Sequence, residues 1–283
     1  MTLAAPAGWD FARDLPFVET SLNFAHPEFD KPLLDETDRA KSMRRHDPHI
    51  VKIFDARPMT PELGLDRNGF LLLRRQTATA DFSDPEEVRG AYYPEVERII
   101  RELTGAQRVL IFGPALRTDA PERGQGVRQP ASNPHVDYSD RMVRYFIRDM
   151  LGDAEADRLA DRRFMLINVW RPLRPVERAP LALCDARTIS RGDLTLAYVK
   201  GSVASKPGEE VLTSEGYNVF FRPRQRWYYF PLQQADEILV FKLCDSDPEA
   251  IQFTAHTAFN DPSSAPDAAY RQSFEVRTIA IMP

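Results

Sequence analysis

The chain has 283 residues, 43% hydrophobic and 28% charged, which suits a globular protein with a sizeable core. A formal net charge of -5 argues against nucleic acid as a partner, since phosphate binding needs a concentrated basic surface, and the basic clusters SMRRH and RPRQRW are short and far apart. No apolar run approaches the roughly 18 residues of a membrane span, and the start MTLAAPAGWDFARDLPF lacks the charged head and greasy core of a signal peptide, so a cytoplasmic protein without a membrane partner is expected.

The length fits one large β-barrel-type domain over residues 1–283, with residues 1–60, rich in proline and charge, as an extended N-terminal arm. NGFLLLRRQTA is the first strand candidate, opened by an Asn-Gly turn. SDPEEVRGAYYPEVERIIRELTGA reads as helix, with Ser83 as N-cap, Gly105 at the far end and Pro94 as a kink or break. QRVLIFGPAL follows as strand, and the polar stretch from 117 to 134 as a loop. SDRMVRYFIRDMLGDAEADRLADR reads as one or two amphipathic helices. From residue 163 the chain turns to strands: RFMLINVWRPL, DLTLAYV, YNVFFRP, RWYYFP, EILVFKL, IQFTAHTAF and SFEVRTIAIM. Many short strands preceded by helices predict a mainly β fold, a sandwich or barrel with the helices packed on one outer face. Cys184 and Cys244 have no close-spaced partner and read as buried reduced thiols, and composition leaves the oligomeric state undetermined.

Of five histidines, three lie in the arm; the remaining two are His135, in SNPHVDYSD, and His256, in FTAHTAF. Alternate residues of an extended segment project to one side, so His135 and Asp137 share a face. If His256 meets them, two imidazoles and one carboxylate form the facial set that binds ferrous iron and leaves positions open. A histidine bonded to a turn aspartate is the bland alternative. Downstream of His256, YRQSFEVR places Arg271 and Ser273 on one strand face, a fork and a hydroxyl suited to a carboxylate. Arg277 shares that face and is the alternative anchor. In RFMLINVWRPL, Phe164, Leu166, Asn168 and Trp170 share a face, and Asn168 among these apolar neighbours needs a hydrogen-bond partner that a bound acid or, equally, a backbone group could supply.

Together these segments, with IVKIFDAR, PLALCDAR and EILVFKLCDSD, resemble the iron(II)- and 2-oxoglutarate-dependent oxygenases, in the branch related to the aspergillic-acid hydroxylase/desaturase, fungal gibberellin desaturase and the cephalosporin 7-alpha-hydroxylase subunit. The resemblance spans almost the whole chain. It implies a double-stranded β-helix, a jelly-roll of cupin-like form, with Fe(II) on His135, Asp137 and His256, 2-oxoglutarate as co-substrate on Arg271 with Ser273 and Asn168, and O2 as oxidant. The implied reaction hydroxylates or desaturates a small molecule, releasing succinate and CO2. Tyr138, Trp170, Arg226, Trp227 and Tyr228 are candidate substrate-facing residues, and loops 117–134 and 201–216 candidate lids. Relatives often carry glutamine where Tyr138 stands and histidine where Gln225 stands, which points to a different substrate. A cupin-like metal-dependent isomerase or hydrolase, or a non-catalytic ligand-binding barrel, would share the fold without needing Arg-x-Ser.

Overall fold

The computed structural model describes residues 15–29, 31–35, 37–124, 126–201 and 213–283. Fourteen strands are named among them, and they form two sheets. The larger contains β1 (Phe17–Ala25), β2 (Leu33–Asp35), β3 (His46–Asp55), β6 (His135–Val136), β8 (Leu181–Cys184), β9 (Leu194–Lys200), β10 (Thr213–Val219), β11 (Trp227–Tyr229) and β13 (His256–Ala258), in the order β1-β3-β11-β8-β13-β6-β10-β9-β2. The smaller contains β4 (Phe70–Arg74), β5 (Arg108–Thr118), β7 (Phe164–Pro172), β12 (Glu237–Asp245) and β14 (Gln272–Ile281), in the order β4-β12-β7-β14-β5. From β6 onward the chain passes repeatedly between the sheets, with β7, β12 and β14 in the smaller and the intervening strands in the larger. That winding is the expected double-stranded β-helix.

Strand alternation explains how the smaller sheet is buried on both faces. Every residue of β7 is buried. Leu166 and Trp170 join Leu239, Phe241 and Ile279 in the core shared with the larger sheet, while Met165, Ile167 and Val169 join Val240, Val276 and Ala280 on the other side. That second face is covered by Val96, Ile99 and Ile100 of helix α2 (Tyr93–Thr104). A strand buried on both faces carries an unbroken apolar run, interrupted in β7 by Asn168 alone before Arg171.

The helices do not all share one outer face. α2 and the turn just before it, through Val88 and Tyr92, pack there; α3 (Asp140–Leu151) turns Val143, Phe146 and Ile147 into the main core, with the Phe146 ring 4.9 Å from that of Phe112 on β5. Before α2 lies a single turn, α1 (Pro85–Glu87), capped by Asp84, whose carboxylate accepts from the Glu86 N–H. Ser83 is not the cap: its hydroxyl is engaged by Asp81. A π-turn over Val88–Tyr92 separates α1 from α2, just ahead of Pro94, whose missing N–H interrupts the regular hydrogen-bond ladder there. Gly105 ends α2 in the left-handed conformation, φ 70°, as its position implied.

The segment read as an irregular arm supplies three strands. β1 and β3 pair antiparallel along their whole length, and β3 continues parallel to β11. Leu22, Phe24 and Ile53 are fully buried, an alternation short enough to be hidden among the charged residues that line the exposed face. Glu237, at the start of β12, ties this segment to the smaller sheet. Its carboxylate accepts two bonds from Arg57, at 3.0 and 2.8 Å, one from Arg74 at 3.2 Å and one from the Gln234 N–H at 2.9 Å.

These donors, Arg57 foremost, hold Glu237 down at about 2, against about 4.3 for a free glutamate. Because the folded value lies below the unfolded one, the stabilisation is complete above about pH 5 and is lost as pH falls toward 2. Glu237→Gln is expected to destabilise the fold by about 3 kcal/mol at pH 7. In urea melts the gap to the wild type should narrow steadily below pH 4; a gap independent of pH would contradict the assignment.

Candidate active site

β6 and β13 lie side by side in the larger sheet, with His135 directly opposite His256. The two rings stand 4.3 Å apart between centroids. His135 Nδ1 lies 2.8 Å from the carbonyl of Asn133, and His256 Nδ1 lies 3.4 Å from that of Thr254, in each case the residue two positions earlier. A proton on each Nδ1 satisfies these carbonyls and leaves both Nε2 atoms as bare lone pairs. Both Nε2 atoms face Asp137 Oδ1, at 3.3 and 3.5 Å. Ligand atoms of His135, Asp137 and His256 all fall within 4.8 Å of one another, a two-imidazole, one-carboxylate donor set that fits ferrous iron.

The second oxygen of Asp137 is held from behind. Arg277 Nε donates to Asp137 Oδ2 at 2.8 Å, its Nη1 to the Gly113 carbonyl at 2.9 Å and its Nη2 to Glu275 Oε1 at 2.8 Å. Glu275 in turn accepts from Arg117 Nε and Nη2, at 3.0 and 2.9 Å. The result is a buried row of alternating charge. Burial alone would raise the Asp137 carboxyl, but the Arg277 guanidinium outweighs it and holds it well below the usual range. Burial likewise raises Glu275, and Arg117 and Arg277 bring it down to about 2. Burial and the neighbouring His135 push His256 down, favouring the neutral ring a metal ligand must be.

A small inner cavity lies beside the histidines, lined among others by Arg117, Trp170, Arg271 and Glu275. Arg271 is 2% exposed. One Nη donates to the Ala179 carbonyl at 2.7 Å, the guanidinium lies 5.6 Å from the centroid of the Trp170 ring, and Nε has no partner among the described residues. Burial, then repulsion from Arg117, pushes Arg271 down to about 10. The Ser273 hydroxyl and both amide atoms of Asn168 are also buried without a partner among the described residues. Asn168 lies opposite both Arg277 and Phe241, and the Phe241 ring is 4.7 Å from that of His256. Such orphaned donors beside a two-His, one-Asp set fit a bound dicarboxylic acid.

An outer cavity opens on the other flank of His135 and Asp137. Tyr138 faces it, its ring packed against Phe112 and Phe146 with the Arg277 guanidinium 5.8 Å from its centroid. Loop 117–134 supplies part of this wall, including Arg128 and Asn133; of the other candidate lid, residues 202–212 lie outside the described residues, while Ser214 and Gly216 line the cavity. Gly216 also admits the site's backbone: a Cβ there would sit 2.4 Å from the Asp137 carbonyl oxygen and 2.6 Å from that of Val136.

Three candidate substrate residues are placed elsewhere. Tyr228 lies in the same cross-strand row as His256, but Leu183 stands between them, and its ring packs on Phe54 and Phe70. Trp227, one residue earlier, faces the opposite side and packs on Phe24, 6.0 Å away. The Arg226 side chain lines neither cavity; its backbone N–H donates to Thr188. Arg277, the alternative anchor, is spent on Asp137 and Glu275. Glu275 and Arg117 were missed. Glu275 has the same parity as Arg271 and Ser273, a signal available in YRQSFEVR. Arg117 reaches the site only through the pairing of β5 with β14, where it stands opposite Ser273, and has no local signal.

Comparison with known proteins agrees with this geometry. Residues 22–281 match a family model described as an oxidoreductase/YMDC permease-like domain. The chain is 32% identical over 244 residues, covering 82% of it and 83% of the relative, to the Fe(II)/2-oxoglutarate-dependent dioxygenase nvfI of Aspergillus novofumigatus. It is 30% identical to the hydroxylase/desaturase efuI of Hormonema carpetanum, over 93% of this chain and 95% of that one. The solved structure of the iron and alpha-ketoglutarate-dependent endoperoxidase NvfI superposes with a TM-score of 0.82 at 28% identity, covering 94% of this chain and 98% of that chain. The chain belongs to the iron(II)- and 2-oxoglutarate-dependent dioxygenases. It is an enzyme that uses Fe(II), 2-oxoglutarate and O2 and acts on a small molecule.

Removing Arg277 would leave the Asp137 and Glu275 carboxylates buried without their shared counter-charge. Arg277→Ala is expected to lower stability by about 3 to 5 kcal/mol, with Arg277→Lys recovering only part because an ammonium cannot serve Asp137, Glu275 and the Gly113 carbonyl in one plane. Denaturant melts at pH 7 test this, and a loss under about 1 kcal/mol for the alanine variant would show the row of charges to be unimportant.

Proposed function

We propose that His135 Nε2, His256 Nε2 and Asp137 Oδ1 hold the iron and that Arg271 holds the distal carboxylate of 2-oxoglutarate, with Ser273 and Asn168 completing its polar contacts. The convergence of the three ligand atoms beside the unpaired Arg271 Nε carries this reading. When bound, iron and 2-oxoglutarate supply the oxidising chemistry, with succinate and CO2 as co-products and a hydroxylated or desaturated small molecule of secondary metabolism as the product.

The protein's part is binding and orientation. Arg277 occupies Asp137 Oδ2, which leaves Oδ1 as the single oxygen offered to the metal and keeps the carboxylate from claiming a second position. The Asn133 and Thr254 carbonyls fix the tautomers of the two imidazoles. The inner cavity excludes water around Arg271, which strengthens its attraction for a carboxylate. Trp170 floors the guanidinium and orients its plane. The primary substrate enters the outer cavity, past Tyr138. We further read the chain as a single oxygenase domain acting in the cytoplasm on a small molecule, not on nucleic acid or at a membrane. Both cysteines are buried free thiols, pushed up by burial, and no helix among the described residues is long and apolar enough to cross a membrane.

Succinate release that requires both added Fe(II) and 2-oxoglutarate is the expected basal activity. His256→Ala is expected to abolish stoichiometric iron binding and turnover, read by metal analysis of folded protein; unchanged iron content would remove His256 from the site. Arg271→Ala is expected to weaken 2-oxoglutarate binding by about 30-fold to several thousand-fold, with iron binding intact, and Arg271→Lys to fall between. Titration of anaerobic iron-loaded protein, following the charge-transfer band of the complex, reads this directly; wild-type affinity in Arg271→Ala would reassign the anchor.

A further inference from the structure

Among the described residues, the guanidinium groups of Arg44, Arg117, Arg128 and Arg277 and the carboxylate of Asp137 line the outer cavity. Arg277 and Arg117 are the inner pair, with side chains 7% and 15% exposed, and both lean on Glu275. Arg128 is half-buried and Arg44 exposed, so the positive lining runs from the proposed iron ligands out to solvent. Pro32, Leu34, Ala197 and Val199 give the same cavity an apolar side. The small side chain of Ala197, on β9, keeps that side shallow.

The backbone of Arg128 is held in place. Its N–H donates to the Leu116 carbonyl at 2.9 Å and its own carbonyl accepts from the Thr118 N–H at 3.0 Å, so its backbone is docked onto β5 within an otherwise irregular loop. A guanidinium on a docked backbone loses less freedom on meeting an anion than one on a free loop. Arg128 does not line the inner cavity, where Arg271 stands.

We propose that the outer cavity selects a primary substrate with an apolar body and a carboxylate, the acidic group meeting Arg128 and the body lying along Ala197 and Val199 toward His135 and Asp137. This rests on the reading of His135, Asp137 and His256 as the iron site. The carboxylate then does more than add affinity: tethered at Arg128, it fixes which carbon of the body stands over the metal.

The test uses anaerobic enzyme loaded with Fe(II) and 2-oxoglutarate, titrated by calorimetry with octanoate and, separately, with octan-1-ol. Octanoate is expected to bind about tenfold to a hundredfold more tightly. Arg128→Gln should bring octanoate down to the level of octan-1-ol while leaving 2-oxoglutarate affinity unchanged, and Arg128→Lys should keep part of the preference. Equal binding of the two probes to the wild type, or a preference that survives in Arg128→Gln, overturns the proposal. Loss of 2-oxoglutarate affinity in Arg128→Gln, with the octanoate preference intact, overturns it too and gives Arg128 to the co-substrate. The charge-transfer band, recorded on the same samples, reports separately on the iron reading: its absence from the wild type would defeat that reading whatever the calorimetry shows.

Discussion

The site depends on one interaction, the pairing of Asp137 with Arg277. A carboxylate with a side chain 8% exposed, set against two neutral imidazoles, would be driven toward its protonated form by desolvation, and a protonated carboxyl is a poor metal ligand. The Arg277 guanidinium prevents this, but brings its own desolvation cost, which Glu275 offsets, and Glu275 is offset in turn by Arg117 at the cavity walls. The charge of the ligand set is thus stabilised by a row that begins at Asp137 and ends where solvent can reach it. Each member is hydrogen-bonded to the next, the condition under which buried charges can be kept.

The fold supplies that row through strand parity. Arg271, Ser273, Glu275 and Arg277 alternate along β14 and its approach, so all four turn to the same interior side, opposite the Asn168 and Trp170 face of β7. The histidines come from the facing sheet, where β6 and β13 are adjacent although far apart in sequence. One sheet therefore contributes the two imidazoles, and the other the Arg277 guanidinium that holds Asp137 and the buried Arg271 at the start of the same strand. Both sheets are rigid elements, and the irregular segments that complete the outer cavity are tied to them at identifiable points, Arg128 to β5 and Asp137 against Gly216.

Much of this was legible in the residues. The His-x-Asp spacing and the lone distal histidine pointed to the three residues that converge in space, the Arg-x-Ser parity pointed to the buried Arg271 and Ser273 beside them, and the strand-rich second half led to the jelly-roll. The N-terminal strands were not legible, because their buried residues are few and separated by charges that serve the exposed face. The Ser83 cap was misplaced by one residue, since Asp84 and Ser83 are both good caps and only the loop geometry chooses between them. Trp227 and Tyr228 looked equivalent as aromatic candidates, yet their opposite faces and the intervening Leu183 keep both from the cavities.

What the sequence by itself determined is local: which residues share a strand face, which types can bind a metal or a carboxylate, and in what order they occur. Alternation has a period of two residues and needs no partner to be read. What only the tertiary structure decided is who meets whom. Arg271 and Arg277 have the same parity and the same chemistry, and nothing in YRQSFEVR separates the arginine whose Nε has no partner among the described residues from the cation that holds Asp137. Register separates them: β14 pairs with β7 and β5 so that Arg277 stands opposite Asn168 and Phe112, beside Asp137, while Arg271 falls at the strand's start against Trp170 and Ala179. Register and crossover depend on packing across the whole chain, where a slip of one residue would turn every side chain to the other face, and no local pattern encodes that choice.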